Sequence, residues 1–130
     1  MRFPGLILCL LLTALPLQAG PMNAAEFDRY TRGRTLFYGQ GGQAYGVERY
    51  LPGRRVIWSF LDGKCQDGRW YEEAGLICFV YEETPGPQCW RFSRGPPGLI
   101  AEFADGSAAA LYEAEDTGAE MVCLGPDTGV

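Results

Sequence analysis

The sequence predicts an all-β fold, an antiparallel up-and-down meander or small β-barrel of about eight strands preceded by a short N-terminal helix. Short apolar segments with period-two alternation recur at intervals of roughly 8–12 residues. Turn dipeptides such as Asp62-Gly63 and Ala74-Gly75 separate these segments and leave no room for a crossover. The stretch from Trp58 to Phe92 holds all three tryptophans and three cysteines, which is typical of a cross-linked sheet with an aromatic face.

Residues 1–19 have the pattern of a secretory signal peptide. Arg2 supplies a positive charge, an apolar run extends from Leu6 to Leu17, and Ala19 stands where signal peptidase needs a small residue. The apolar run is shorter than the ~20 residues that a membrane-spanning helix needs, which argues against a retained anchor. We therefore expect residues 20–130 to form one disulfide-stapled β domain with no membrane span in the mature chain, located in the periplasm or secreted.

A short helix is predicted at the start of the mature chain. Asn23 is a favourable N-cap and Glu26 follows three residues later, as in a capping box. Phe27 and Tyr30 fall on one face, and the helix is expected to end near Gly33. Because two turns of helix are not stable alone, we expect this helix to dock on the edge of the sheet or on one end of the barrel.

The remaining chain predicts eight strands joined by short turns. Gly39–Gly42 lacks the lysine and hydroxyl residues of a phosphate-binding loop and is interpreted as a hairpin loop. Asp67-Gly68 predicts a β-bulge, and Gly125-Pro126-Asp127 predicts an irregular tail. The predicted strands are Thr35–Tyr38, Ala44–Leu51, Arg54–Leu61, a strand through Trp70 to Glu72, Leu76–Tyr81, Gln88–Ser93, Leu99–Phe103 and Ala109–Glu115.

Four cysteines remain once Cys9 leaves with the signal peptide. An even number in a small exported domain predicts two disulfides. The chain has no histidine and no closely spaced cysteine pair, so neither a metal nor another cofactor is predicted. A hairpin loop centred on Glu83–Thr84 places Cys78 directly opposite Cys89. We therefore pair Cys78 with Cys89 and, by elimination, Cys65 with Cys123, one of three possible connectivities.

The same register argument assigns side chains to the two faces of the sheet. With Ala74-Gly75 as a two-residue loop, Trp70 lies opposite Phe79 on the face assigned to the core. The aromatic side chains are predicted to fill this core, but they are also the candidates to line a ligand cavity if the barrel is hollow. These candidate ligand-lining residues are Trp58, Trp70, Phe79, Tyr81 and Trp90.

Catalytic chemistry is not predicted. The motifs Tyr71-Glu72-Glu73 and Tyr81-Glu82-Glu83 suggest the paired carboxylates of a glycosidase. They fall, however, at opposite ends of one strand pair, roughly 20 Å apart, and cannot flank a single bond. A serine or cysteine nucleophile would lack a histidine base. We expect no enzyme and no catalytic residue, and the net charge of -5 argues against binding to nucleic acid.

The order of Gly68-Arg69-Trp70, Ile77-Cys78-Phe79 and Gln88-Cys89-Trp90 carries a resemblance to known proteins. In these residues the chain resembles a set of small exported alphaproteobacterial proteins of unknown function, over about residues 26–123. The resemblance implies a periplasmic all-β domain with paired cysteines and brings no activity. Periplasmic inhibitors of lysozyme are an analogy of architecture alone, since their Ser-Gly-x-x-Tyr motif is absent here.

Two functions remain open on the sequence. The first is a non-catalytic interaction or inhibitor-like module that binds an unidentified protein or envelope component. The alternative is a small-ligand-binding β-barrel with an aromatic-lined interior. An interior filled by Trp58, Trp70, Phe79 and Trp90, with no cavity above ~300 Å³, would reject this alternative. In either case we expect the function in the barrel mouth or in the loops around Gly39–Gly42 and Pro85–Pro87.

Overall fold

The computed structural model describes Met1 and residues 20–115 and 121–124, and shows a closed barrel of eight antiparallel strands. Each strand pairs with the next along the chain, and β8 pairs back with β1, so the predicted fold class is confirmed. The elements are α1 Ala24–Thr31, β1 Thr35–Gln40, β2 Gln43–Tyr50, a 3₁₀ turn Pro52–Arg54, β3 Arg55–Ser59, β4 Gln66–Glu73, β5 Leu76–Tyr81, β6 Gln88–Gly95, β7 Gly98–Phe103 and β8 Leu111–Ala114. The predicted signal peptide 1–19, Met1 excepted, and the tail 125–127 lie outside the described residues.

Two hairpins have two-residue loops, as predicted at Ala74-Gly75, whereas the loop predicted at Gly39–Gly42 is shorter and consists of Gly41 and Gly42. In the β4–β5 loop, Ala74 and Gly75 have φ values of 51° and 79°. In the β1–β2 loop, Gly41 and Gly42 have φ values of 58° and 80°. Two successive left-handed residues make the primed turn whose twist matches that of the flanking strands, which explains the preference for glycine.

One disulfide follows from the strand register, and the other joins a loop to the segment after β8. Cys78 lies directly opposite Cys89 in the β5–β6 ladder, and the two are bonded. Cys65 is bonded to Cys123, which ties residues 121–124 to the loop before β4. Both predicted pairs are therefore present, as is the predicted pairing of Trp70 with Phe79.

Two local predictions for the β3–β4 region are wrong. Asp62-Gly63 is not a two-residue hairpin, because β3 ends at Ser59 and β4 begins at Gln66. The six-residue loop instead contains a side-chain turn, in which the Lys64 backbone N–H donates to Asp62 Oδ1 at 2.9 Å. There is no bulge at Asp67-Gly68, since both residues pair in unbroken register with β3 and Gly68 also pairs with Tyr81 of β5.

The β-bulge lies in the β1–β2 hairpin instead. Tyr38 pairs with Gly46 and the next residue, Gly39, pairs with Ala44, which leaves Tyr45 as the extra residue. A bulge re-aims side chains next to it. In a regular strand Tyr45 and Glu48, three positions apart, would face opposite sides. Because of the bulge, both line the barrel interior.

Helix α1 closes one end of the barrel, called here the helix end. Asn23 caps the helix by accepting a 2.9 Å hydrogen bond from the Glu26 backbone N–H, as predicted. Phe27 is fully buried, with its ring centroid 4.6 Å from that of Phe92 and 5.0 Å from that of Trp70. The helix thus plugs the core with one aromatic side chain. The opposite end, called here the mouth, carries the loops 41–42, 60–65, 82–87 and 104–110.

Candidate functional site

A cavity lies in the barrel interior between the plug formed by Phe27 and the mouth. Its volume is about 50 Å³, and it is partly open to solvent. Aromatic side chains dominate its wall: Tyr38, Tyr45, Tyr50, Trp58, Phe60, Phe79, Tyr81, Trp90 and Phe92. Polar groups come from Glu48, Gln66, Thr84 and Gln88, and the small apolar residues Ala101 and Leu111 complete the lining. An apolar wall with a few polar groups is typical of a small-molecule site.

Glu48 is the one carboxylic acid among the described residues that line this cavity. The residue is 1% exposed and lies opposite Trp58 in the β2–β3 ladder. Its Oε1 accepts a 2.9 Å hydrogen bond from the Tyr81 hydroxyl. Its Oε2 is buried and has no hydrogen-bond partner. Buried polar atoms are nearly always paired, so an unpaired carboxyl oxygen on a residue that lines a cavity marks a group that a hydrogen-bonding ligand would stabilise.

The titration of this cavity is governed by burial. Burial raises the pKa of Glu48 well above its ordinary value, and the hydrogen bond from Tyr81 opposes this only in part. Burial also raises the pKa of Tyr81, and the neighbouring Glu48 carboxyl raises it further. Deeper in the barrel the hydroxyls of Tyr38 and Tyr50 are 2.7 Å apart, and burial raises the pKa of both. The phenols therefore stay neutral, and Glu48 is the group whose charge can change.

Glycines fix the aromatic rings of the mouth by allowing close approach. A Cβ atom on Gly46 would lie 2.3 Å from the Trp58 ring, and one on Gly68 would lie 2.6 Å from the Tyr81 ring. Gly68, which the sequence predicts as a bulge, thus serves to seat Tyr81 beside Glu48. Above Trp58, the half-exposed Phe60 packs edge-on, with ring centroids 5.3 Å apart. At the mouth, aromatic side chains therefore surround the buried carboxyl of Glu48.

Four of the five candidate ligand-lining residues line the cavity: Trp58, Phe79, Tyr81 and Trp90. Trp70 lies outside it, because the helix occupies that end of the barrel. Its ring packs against Phe27 on one side, and the Arg54 guanidinium lies 4.6 Å from its centroid. Trp70 belongs to the plug rather than to the cavity.

Sequence reasoning missed Glu48 and Tyr45. The run Tyr45–Tyr50 does not alternate cleanly between apolar and polar residues, and the bulge at Tyr45 cannot be read from it. One signal was present. A turn at Pro52-Gly53 pairs Tyr50 with Val56 and Glu48 with Trp58. Once Trp58 is assigned to the core, that register assigns Glu48 to it as well.

Among the described residues, the other carboxylates do not line the cavity. Glu72 Oε2 accepts a 2.5 Å hydrogen bond from the Ala24 backbone N–H, which fastens the start of α1. Glu113 accepts hydrogen bonds from the Tyr30 hydroxyl at 2.7 Å and the Leu99 backbone N–H at 2.9 Å. Both carboxylates therefore accept hydrogen bonds at the helix end of the barrel. Among the described residues no cluster of three or more potential ligands could hold a metal ion, and no helix is long and apolar enough to cross a membrane.

The arrangement is suited to binding. A carboxyl with one free oxygen, tyrosine hydroxyls and aromatic faces can hold a small group by hydrogen bonds and by contact with the rings. In comparisons with protein-family models, with curated proteins and with solved structures, the chain has no significant match.

Proposed function

We propose that the protein is a non-catalytic, small-ligand-binding β-barrel that works in an oxidising compartment outside the cytoplasm. The observation that carries the proposal is Glu48, a buried acid that lines an interior cavity and whose Oε2 atom has no hydrogen-bond partner. Leaving a carboxyl oxygen unpaired in an apolar interior costs free energy. A ligand that supplies the missing hydrogen bond recovers that free energy on binding.

The size of the cavity limits what enters it. A ligand enclosed whole in the barrel, the form considered from the sequence, does not fit this cavity. Its volume of about 50 Å³ is far below the ~300 Å³ that such a ligand needs. It has room for a few water-sized groups. The proposal is therefore that a small polar headgroup enters the barrel, while the body of the ligand rests on the aromatic rim formed by Tyr45, Trp58 and Phe60.

Localisation outside the cytoplasm is supported by the two disulfides, because such bonds persist in oxidising compartments. The signal-like residues 1–19 support it independently. Mass spectrometry of the exported protein should give a mature N-terminus at Gly20 and no free thiol. A protein that stays in the cytoplasm with residues 1–19 attached would contradict this part of the proposal.

Ligand binding is tested with probes that share a phenylethyl body and differ in headgroup, followed by tryptophan fluorescence, since Trp58 and Trp90 line the cavity. Ala101 is 1% exposed in the cavity wall, so Ala101→Leu should fill the cavity and weaken binding of any probe. The matched control is Ala108→Leu, at an exposed position in the β7–β8 loop, which should bind as the wild type does. Binding that survives Ala101→Leu unchanged would overturn the proposal.

A second candidate, an interaction or inhibitor-like module, is favoured by exposed apolar side chains beside the mouth. Phe60 and Leu61 are 50% and 44% exposed, and Leu124 is 66% exposed and contacts the same loop through Gly63. Exposed apolar groups that lie together often mark protein contacts. Inhibition of lysozyme, lost in a Phe60→Ser, Leu124→Ser double variant, would support this candidate. Absence of inhibition by the wild type would remove the lysozyme form of it.

A further inference from the structure

We infer that the headgroup bound in this cavity is a primary ammonium cation, which donates a hydrogen bond to Oε2 of Glu48. The inference rests on the ligand-binding function proposed above and names its ligand class. Glu48 lines the cavity, and its Oε2 is buried without a hydrogen-bond partner, while Oε1 accepts from Tyr81. In the ionised carboxyl Oε2 lacks an N–H or O–H donor, and in the protonated carboxyl the O–H on Oε2 lacks an acceptor. A cationic donor is the partner that favours the ionised form.

The charge of the cavity favours a cation. The titratable groups among its described lining residues are Glu48 and four tyrosines, which come from β1, β2 and β5. The parts of the wall contributed by the other strands bear no charge, and no lysine or arginine lines the cavity. Aromatic faces carry negative electrostatic potential and attract cations, and the chain as a whole has a net charge of -5. An anionic headgroup would find no positive partner here.

The unpaired oxygen favours a primary ammonium over a quaternary one. A primary ammonium carries N–H donors and can form a charge-assisted hydrogen bond to a carboxylate. A trimethylammonium group carries the same charge but has no N–H to donate. It is also bulkier, and the cavity of about 50 Å³ holds only a few water-sized groups. Charge and hydrogen bonding thus select the same headgroup.

Binding of this ligand is coupled to a proton. Burial raises the pKa of Glu48, so in the empty cavity the carboxyl holds its proton over a range in which an exposed glutamate is ionised. An arriving ammonium stabilises the carboxylate, and the carboxyl proton passes to solvent. No covalent bond forms or breaks apart from that O–H bond. Below the pKa of Glu48 in the empty protein, affinity should rise about tenfold per pH unit because one proton is released for each ligand bound.

The test is calorimetric titration with four probes: 2-phenylethylammonium, 2-phenylethanol, trimethyl(2-phenylethyl)ammonium and 3-phenylpropanoate. We expect 2-phenylethylammonium to bind roughly ten- to a hundredfold more tightly than 2-phenylethanol, because it adds a charge-assisted hydrogen bond. Titrations in two buffers of different ionisation enthalpy should show one proton released with 2-phenylethylammonium and none with 2-phenylethanol. This readout uses the wild-type protein and needs no variant.

Variants then test whether the Glu48 carboxyl is responsible for the proton release and for the preference for the ammonium probe. Glu48→Gln keeps the shape of the side chain but cannot ionise, so it should remove both the proton release and the preference for the ammonium probe. The control is Glu82→Gln, an exposed acid in the loop at the mouth, which should retain both. If Glu48→Gln retains the preference, the inference is wrong.

The outcomes separate the inference from the function on which it rests. Equal or tighter binding of 2-phenylethanol, the trimethylammonium probe or 3-phenylpropanoate, lost in Ala101→Leu, would overturn the ammonium ligand and leave the ligand-binding barrel standing. Absence of binding by all four probes would overturn both. A fifth titration with Nα-acetyllysine methylamide distinguishes a protein side chain from a free amine. If it binds more tightly than 2-phenylethylammonium, the small-molecule form of the inference is wrong.

Discussion

The Tyr81 hydroxyl donates a 2.9 Å hydrogen bond to Oε1 of Glu48, and the bond crosses the barrel interior from β5 to β2. These strands are not neighbours, since β3 and β4 lie between them in the sheet. The contact therefore forms only when the barrel closes, and no single hairpin contains both residues. It satisfies one oxygen of a buried acid and leaves the other without a hydrogen-bond partner.

Tyr81→Phe should destabilise the protein because it leaves both oxygens of Glu48 without a protein donor. A buried group stripped of its partner costs about 1–3 kcal/mol of unfolding free energy. Urea denaturation measures the loss. Tyr71→Phe is the control, because Tyr71 lies opposite Cys78 on the outer face of the same strand pair, and it should change stability by less than about 0.5 kcal/mol. Equal losses in the two variants would show that the bond to Glu48 adds no stability.

Glu48 should make the protein less stable as the pH rises. In the unfolded chain a glutamate titrates near pH 4.3, about its reference value, while burial raises the pKa of Glu48 in the folded state. Below the unfolded pKa the carboxyl is protonated in both states, and its contribution to stability is fully present. As the pH rises from there to the folded pKa, the unfolded state alone ionises. The unfolding free energy should then fall by up to about 1.4 kcal/mol per pH unit from this group.

Glu48→Gln isolates that contribution, because the amide cannot ionise. Its stability relative to the wild type should grow as the pH rises above about 4.3, the unfolded value. Urea denaturation at a series of pH values gives the two curves. Glu102→Gln, at an exposed position on β7, should instead follow the wild type. Parallel curves for wild type and Glu48→Gln would mean that the pKa of Glu48 is not raised.

Phe27→Ala should remove the plug at the helix end. Phe27 is fully buried between α1 and the barrel, and truncating such a phenylalanine costs about 3–5 kcal/mol. Since α1 is only eight residues long, it should also detach, exposing the chain before β1 to proteolysis. Limited proteolysis and urea denaturation measure both effects. Phe37→Ala, at a half-buried position on β1, should cost less and leave α1 attached; the opposite order would contradict the plug.

The sequence predicts most of this fold because its signals are local. The two-residue turn at Ala74-Gly75 fixes the register of its hairpin, and the register fixes which residues share a face of the sheet. A second loop, centred on Glu83–Thr84, likewise places Cys78 opposite Cys89, where the disulfide is found. The turn rule fails at Asp62-Gly63, where a good turn dipeptide lies inside a six-residue loop held by the Cys65–Cys123 bond. A long-range cross-link there overrides the local preference.

The candidate site is less predictable because it violates those local rules. Glu48 is an acid on the core face, and a strand pattern would place it outside. The bulge at Tyr45 changes which residues face inward, and nothing in its own residue type announces it. The cavity exists only once all eight strands close, and no hairpin contains its wall. The aromatic residues are predictable as core from their type, whereas the acid is predictable only through the Pro52-Gly53 register that pairs it with Trp58.

The two disulfides should differ in what they contribute to stability. In the chain-entropy argument, a cross-link stabilises by restricting the unfolded chain, and more so when it closes a longer loop. The sequence separations are 11 residues for Cys78–Cys89 and 58 for Cys65–Cys123. The expected losses in paired Cys→Ala variants are therefore about 3 and about 4 kcal/mol, measured by urea denaturation. Packing predicts the opposite order of stability losses, because Cys78 is fully buried whereas Cys65 and Cys123 are not. If loss of Cys78–Cys89 proves the more damaging, packing at that site outweighs the restriction of the unfolded chain.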